Sequence, residues 1–172
     1  MRDFELAIPG GMVRGLRAGV AGAPRVLALH GWLDNAASFV PLAAHLPGLD
    51  LVAPDLPGHG RSDHLPRGMD YSFAAAVHTV LDIADALGWE RLALLGHSMG
   101  AGISSLVAAA CPDRIERLVA IEALGALAAS RGEQLAEVVI SVPASARRST
   151  TGADLGNRVG VRPIGVATGG DR

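Results

Sequence analysis

Short, almost uninterrupted apolar runs constrain the fold of this chain more than any other feature of its sequence. Four such runs occur, at residues 26–29, 51–53, 92–95 and 118–121. A strand with one face in solvent alternates apolar and polar residues, whereas a strand buried on both faces is apolar throughout. The runs therefore predict central strands of a parallel sheet, with helices packed on the sheet.

Segments with helical periodicity separate these strands. Apolar residues recur at helical spacing over residues 39–46, 73–87 and 99–110. Ser72 is placed to cap the start of the second segment, and Gly88 to end it in a left-handed conformation. Because strands alternate with helices, we expect right-handed crossovers and a doubly wound, mostly parallel α/β sheet.

The two ends of the chain follow different patterns. Residues 4–18 alternate around a Pro-Gly-Gly turn, which predicts an antiparallel hairpin ahead of the parallel sheet. Residues 124–139 favour a helix interrupted by glycine, and residues 141–172 show no period. We therefore expect a partial α/β domain over residues 1–140 and a poorly ordered tail over residues 141–172.

The strongest chemical signal is the pentapeptide Gly96-His97-Ser98-Met99-Gly100, which follows a predicted buried strand and opens a predicted helix. A serine on such a tight turn adopts a strained backbone and exposes its hydroxyl group above the sheet edge. Glycines are needed on both sides, where a side chain would collide with the neighbouring strand or helix. The motif predicts Ser98 as a nucleophile and the Met99 amide as an oxyanion donor. An ordinary serine at a helix N-cap is the alternative interpretation.

Two further segments accompany this motif and complete a family resemblance. Leu-His-Gly-Trp-Leu-Asp-Asn occupies residues 29–35, and Asp-Leu-Pro-Gly-His-Gly-Arg-Ser-Asp occupies residues 55–63. Together with the serine turn, in this order, they resemble the α/β-hydrolase superfamily, in the branch with a His-Gly oxyanion loop, over residues 4–124. The resemblance implies the N-terminal half of an α/β-hydrolase fold and a serine hydrolase acting on an ester or similar acyl substrate. It also implies that the Trp32 amide is the second oxyanion donor and that segment 55–63 is a structural loop near the active-site mouth.

The catalytic triad that the resemblance implies is incomplete in these 172 residues. A serine needs a general base, and in this fold the chain order is nucleophile, acid, histidine. No histidine follows His97, which precedes the serine on the wrong side to act as its base. Glu122 ends the strand after the nucleophile helix and is a candidate acid, although a glutamate leading into a loop fits the sequence equally well. Asp154 and Asp171 lie in the patternless tail and are not favoured.

The remaining histidines do not indicate a metal site. His30 and His59 belong to the two loop motifs, whereas the others are interpreted as surface residues: His45, His64 and His78. No pair has the i, i+4 helix spacing or the clustered carboxylate partner of a typical metal centre. The sequence therefore predicts neither a metal nor a cofactor.

Composition bears on the partners and the compartment. The net charge of -2 at pH 7 is close to balanced and favours neither a nucleic acid nor an anionic membrane as a partner. The single cysteine, Cys111, cannot form an internal disulfide, and the N-terminus lacks the apolar run of a signal peptide. We therefore expect a cytoplasmic protein that acts on a small acyl molecule and has no membrane span.

Two accounts explain the incomplete triad. The first is a truncated or frameshifted product whose coding sequence leaves its frame between about residues 132 and 149, where the pattern gives way to the tail. The second is a genuine short protein that lost catalysis and keeps the fold as a non-catalytic binding or interaction protein. Downstream DNA read in the other frames tests the first account, which fails if no frame encodes further strands and a histidine. Truncation would also leave the strand at 118–121 as an uncovered edge, so we expect self-association through it.

Overall fold

A computed structural model describes residues 1–20 and 22–122 and two short strands beyond them. The strands are β1 (Arg2–Ile8), β2 (Gly11–Ala18), β3 (Arg25–Leu29), β4 (Asp50–Pro54), β5 (Leu92–His97), β6 (Ile115–Ile121), β7 (Val139–Ile140) and β8 (Val161–Arg162). The helical elements are a 3-10 turn (Ala36–Phe39), α1 (Val40–Ala43), α2 (Phe73–Ala86) and α3 (Met99–Ala110). Apart from the antiparallel pair β7 and β8, the predicted helix at 124–139 and the predicted tail at 141–172 lie outside the described residues.

The first six strands form one mixed sheet in the order β1-β2-β4-β3-β5-β6. The hairpin of β1 and β2 is antiparallel, and β2 joins β4 in the same sense. In contrast, β3 pairs in parallel with β4 and β5, and β5 pairs in parallel with β6. The predicted hairpin and the mostly parallel α/β sheet are confirmed, and each of the four apolar runs lies within a strand.

The strand register brings the carboxyl ends of the parallel strands to one edge of the sheet. Leu29 of β3 lies opposite Gly96 of β5, and His97 of β5 lies opposite Ile121 of β6. The loops that leave these three strands therefore meet at the same edge. In open α/β sheets this is the edge at which ligands bind.

Alternate residues of the central strands fill two hydrophobic layers. On one face, Leu27, Leu29 and Leu94 pack with apolar side chains of α2 and α3. On the other face, Val26 and Leu95 pack with apolar side chains of the 3-10 turn. Successive residues point to opposite faces of a strand, so strands covered on both faces are apolar at every position.

Both signals predicted for the ends of α2 are confirmed. Ser72 Oγ accepts a hydrogen bond from the Ala75 amide at 3.1 Å, which satisfies one of the amides left free at a helix start. Beyond the C-cap residue Leu87, Gly88 adopts a φ of 69°, a left-handed conformation that favours glycine. The start of α2 is thereby fixed, and its first turn lines a cleft beside Ser98.

One side of the sheet is less well covered than the rest. β6 is the last strand in the order, so one row of its backbone groups has no neighbour within the main sheet. An apolar groove runs over the adjacent face, where Ala93, Val119 and Ile121 are only half-buried. An apolar face thus continues to a strand edge with which no described strand pairs.

We predict that this edge and groove cause the chain to self-associate, because unpaired strand edges and exposed apolar patches promote association. Sedimentation velocity over a range of protein concentrations should show species larger than a single chain. Val119→Arg should shift the distribution towards monomer, whereas Val20→Arg, at an exposed valine outside the groove, should not. A monodisperse monomer with a cooperative thermal melt contradicts the prediction.

Candidate active site

Ser98 stands at the turn between β5 and α3 in a backbone conformation that few residues other than glycine adopt. Its φ is 50° and its ψ is -113°, whereas a normal N-cap residue has an extended backbone. Its side chain makes no hydrogen bond that caps α3. Strain of this kind costs about 1–3 kcal/mol and persists only where the surrounding structure enforces it. The predicted strained turn is confirmed, and an ordinary N-cap serine does not describe it.

Two glycines allow this turn to pack against its neighbours. A Cβ atom at Gly96 would lie 2.5 Å from the amide nitrogen of Ala101, in the first turn of α3. A Cβ atom at Gly100 would overlap the carbonyl group of Leu29, at the end of β3. The collisions predicted from the sequence are therefore confirmed, because no side chain fits at either position.

Backbone hydrogen bonds hold the turn on both sides. The Ser98 amide donates to the carbonyl oxygen of Ile121, at the end of β6, over 2.9 Å. The Ser98 carbonyl accepts from the amides of Ala101 and Gly102 at 3.0 and 3.1 Å. The strained residue is thus tied to the edge strand and to the first turn of α3.

The His-Gly loop lies directly beside the serine. A Cβ atom at Gly31 would be 3.1 Å from His97 Nδ1 and 3.5 Å from Ser98 Cβ, which shows how closely the loop approaches. The amide of Trp32 donates to no acceptor among the described residues. Met99 is the first residue of α3, so its amide has no partner within the helix. Two main-chain donors with no acceptor among the described residues thus belong to residues that line the same cleft as the serine.

His30 fixes this loop from inside the protein. The side chain is buried, its Nδ1 lies 2.8 Å from the Gly31 carbonyl oxygen, and its Nε2 accepts from the Leu56 amide at 2.9 Å. Nδ1 carries the proton, since it faces an acceptor while Nε2 itself accepts. Burial lowers the pKa of His30, while the Gly31 carbonyl acts in the opposite direction. The neutral imidazole therefore joins the His-Gly loop to segment 55–63.

Asp55 organises the second loop. Its buried carboxylate accepts hydrogen bonds from the amides of Ala36 and Arg61 at 2.7 and 2.9 Å. Ser62 Oγ donates to the Asp55 carbonyl at 2.6 Å, and a Cβ atom at Gly60 would overlap the Asp55 carboxylate. The aspartate, glycine and serine of this motif are thus needed to shape the loop, as the resemblance implies.

Glu122 and His97 form a contact that was not predicted. Glu122 Oε2 lies 2.9 Å from His97 Nε2, so the residue that follows β6 contacts the last residue of the neighbouring strand β5. Glu122 has a φ of 64°, so it is a second non-glycine residue in the left-handed region close to Ser98. The carboxylate of the candidate acid is thus engaged with the histidine that precedes the serine. The parallel pairing of β5 with β6 is the signal from which this contact follows, because it places His97 opposite Ile121.

A cleft opens beside the serine. Its described lining comes from the His-Gly loop, the start of α2 and the start of α3: Trp32, Tyr71, Ser72, Phe73, Ala76, Ser98, Met99 and Ile103. The His59 ring packs edge-on against Trp32, with ring centres 5.5 Å apart, and it also contacts His30 at 5.0 Å. Trp32 remains 66% exposed at the rim of the cleft. The serine is therefore open to a small molecule from solvent.

The other candidate residues add no further site. Asp154 and Asp171 lie outside the described residues, whereas the three predicted surface histidines are exposed: His45, His64 and His78. Within residues 1–20 and 22–122, no group of three His, Cys, Asp or Glu side chains is arranged to hold a metal ion. Over the same part of the chain, no helix combines the length and the apolar character needed to cross a membrane.

The fold and the serine turn define a protein class. Residues 24–160 match the family described as alpha/beta hydrolase fold, and the chain belongs to this family. Serine hydrolase-like proteins of Dictyostelium discoideum and Danio rerio are 44% identical over 105 residues and 38% identical over 126 residues. The crystal structure of a hypothetical protein from Pseudomonas aeruginosa PAO1 is similar with a TM-score of 0.72 and 44% identity.

The chain is shorter than these relatives. The matches cover 60% and 73% of this chain but only 29% and 39% of the Dictyostelium and Danio proteins. The Pseudomonas match covers 76% of this chain and 46% of the solved chain. The chain thus spans less than half the length of each of the three.

We predict that the burial of His30 makes the fold less stable in mild acid. The unfolded imidazole takes up a proton near its ordinary value of 6.5, whereas the folded one resists protonation because its pKa is lowered. Below that pH the unfolded state binds more protons, so the free energy of unfolding falls by up to about 1.4 kcal/mol per pH unit. Urea unfolding at neutral and mildly acidic pH measures this loss.

His30→Asn is the matched variant, because it retains a donor and an acceptor but does not titrate. Its free energy of unfolding should fall less than that of the unmodified chain over the same pH range. Equal losses in the two proteins would show that His30 contributes nothing to acid sensitivity.

Proposed function

We propose that this chain carries the nucleophile and the oxyanion donors of a serine hydrolase that acts on an ester or a similar small acyl compound. Ser98 Oγ attacks the acyl carbon and forms a C–O bond, while the carbonyl electron pair moves onto oxygen. The amides of Trp32 and Met99 donate to that oxyanion. Its collapse breaks the bond to the leaving alkoxide, which takes the proton lost by the serine hydroxyl group and departs as the alcohol. Water then hydrolyses the acyl-serine ester to the carboxylic acid and regenerates the hydroxyl group.

The backbone of Ser98 carries this proposal. A φ of 50° at a serine between a buried strand and a helix is costly, and the serine side chain does not cap the helix in return. Strained conformations of this kind cluster at active sites. The conformation presents the hydroxyl group at a cleft, next to two unengaged amides.

The base is the part of the mechanism that the described residues do not supply. No histidine follows His97 in the sequence, and His97 itself contacts Glu122. A serine at its ordinary pKa is a weak nucleophile. We therefore expect this chain alone to have weak or no turnover, since amide donors and binding alone give about 10³–10⁴-fold over water.

We predict that a fluorophosphonate probe labels Ser98 in the folded chain, because reaction at phosphorus places an oxyanion between the two amides. Labelling should disappear in Ser98→Ala. It should persist in Ser105→Ala, the matched loss of a hydroxyl on the same helix, where Ser105 Oγ donates to the Ala101 carbonyl at 2.9 Å. Mass spectrometry of the labelled peptide identifies the site, and circular dichroism checks the fold of each variant.

Either of two results would contradict the assignment. Absence of labelling in the folded, unmodified chain, even when imidazole is added as a base, would favour the non-catalytic binding protein. Labelling that survives in Ser98→Ala would place the reactive group elsewhere.

Glu122 remains the proposed acid, which would orient a histidine base and stabilise the positive charge that the histidine gains on taking up a proton. Imidazole added to the buffer supplies the missing base, so it should accelerate labelling of Ser98. The acceleration of labelling by imidazole should be smaller in Glu122→Gln, which removes the carboxylate. The control is His97→Gln, which replaces the other partner of the same contact and keeps the carboxylate, so it should show the full acceleration. An equal loss in both variants would show that only the contact between the two residues matters.

A non-catalytic binding or interaction protein is the second candidate, and the engagement of His97 with Glu122, which leaves no described histidine as a base for Ser98, favours it. Dehalogenation and epoxide opening are less well supported, because relatives with those activities usually place aspartate at the nucleophile position. The small acyl substrate and the cytoplasmic location stay predictions.

A further inference from the structure

The cleft at Ser98 continues into a second, inner part. The inner part lies between segment 56–71 and the helices α2 and α3, and it shares Trp32, Tyr71, Ala76 and Ile103 with the outer part. Met99 and Ile103 also lie four residues apart on α3, which is about 6 Å along the helix axis. The two parts therefore adjoin along the side of α3, and together they are called the channel.

Apolar side chains dominate the walls of the inner part. Leu56 and Leu65 from the loop face Ile103 from α3 and Ala76 from α2 across the channel. Transfer of a ligand's methylene groups from water to such a lining is favourable, whereas a polar ligand would find few hydrogen-bond partners there.

Three polar side chains of the inner part already make contacts within the protein. Asp70 Oδ1 accepts from the Ser72 amide at 2.8 Å, and the Ser72 hydroxyl group caps α2. His59 Nδ1 lies 3.2 Å from the Pro57 carbonyl oxygen. These groups therefore hold the walls in place.

The charge of the described lining disfavours an anionic occupant. No arginine is among the described residues that line either part of the cleft, and the sequence contains no lysine. The hydrogen bonds from Ser72 lower the pKa of Asp70, so this carboxylate is ionised at neutral pH. A carboxylate or phosphate on the ligand would meet repulsion and find no counter-ion.

We propose that the inner part binds the hydrocarbon chain of the acyl group, so that the preferred substrates carry an uncharged, apolar acyl chain of medium length. The proposal rests on the proposed function, because it takes Ser98 as the reacting group. Ala76 is the position that sets how much chain the channel holds, since its small side chain lines both parts, and a larger side chain there would fill the space between them.

The first test uses fluorophosphonates with ethyl or octyl chains on phosphorus. The octyl probe should label Ser98 faster, by about fourfold for each methylene group that the channel buries. In Ala76→Phe the ratio of octyl to ethyl labelling rates should fall towards one. Ala74→Phe, at an exposed position of the same helix, should keep the ratio of the unmodified chain. Equal rates for the two probes in the unmodified chain would overturn the proposal while leaving the nucleophile assignment intact.

The second test does not need a reactive serine. The sequence has two tryptophans, and Trp89 is buried in the core, so in Trp89→Phe the fluorescence reports on Trp32 at the cleft. Octanamide should change this fluorescence saturably, and acetamide should not. Suberamic acid, which has a carboxylate at the far end of a similar chain, should bind more weakly than octanamide. If octanamide gives no saturable change, or if suberamic acid binds as tightly, the acyl channel is refuted even where no probe labels Ser98.

Discussion

The site depends on the main chain of Ser98 being held in a conformation that a free serine would not adopt. The close approach of Gly96 to α3 and of Gly100 to β3 leaves no room for the turn to relax. The hydrogen bond from Ser98 to Ile121 fixes the turn from the side of β6. Three strands and a helix must therefore assemble before the hydroxyl group takes up its position, so the reactive geometry is a property of the assembled sheet.

Two buried polar side chains then connect the loops around the serine. His30 joins the His-Gly loop to Leu56, and Asp55 joins its own loop to Ala36 and Arg61. Both side chains have their hydrogen bonds satisfied, which is the condition under which polar groups are tolerated in a core. The sequence motifs of this family therefore encode the scaffold of the site as much as its chemistry.

The strands, the caps of α2 and the strained turn were predictable from the sequence because each leaves a local signal. Burial on both faces makes a strand apolar at every position, and the glycines around Ser98 mark a close approach. The contact between His97 and Glu122 left no such signal, since it depends on the pairing of β5 with β6. The cleft was equally hidden, because segment 56–71 and α2 meet the start of α3 only in the folded chain.

The tie between Ser98 and Ile121 couples the reactive turn to the outermost strand of the main sheet. Edge strands fray more readily than central ones, because they are paired on one side only. When β6 frays, the turn loses a restraint and its stored strain is released. A polypeptide that pairs with the outer edge of β6 would stabilise this strand. It would thereby raise the fraction of molecules in which Ser98 keeps its reactive conformation, without contacting the substrate.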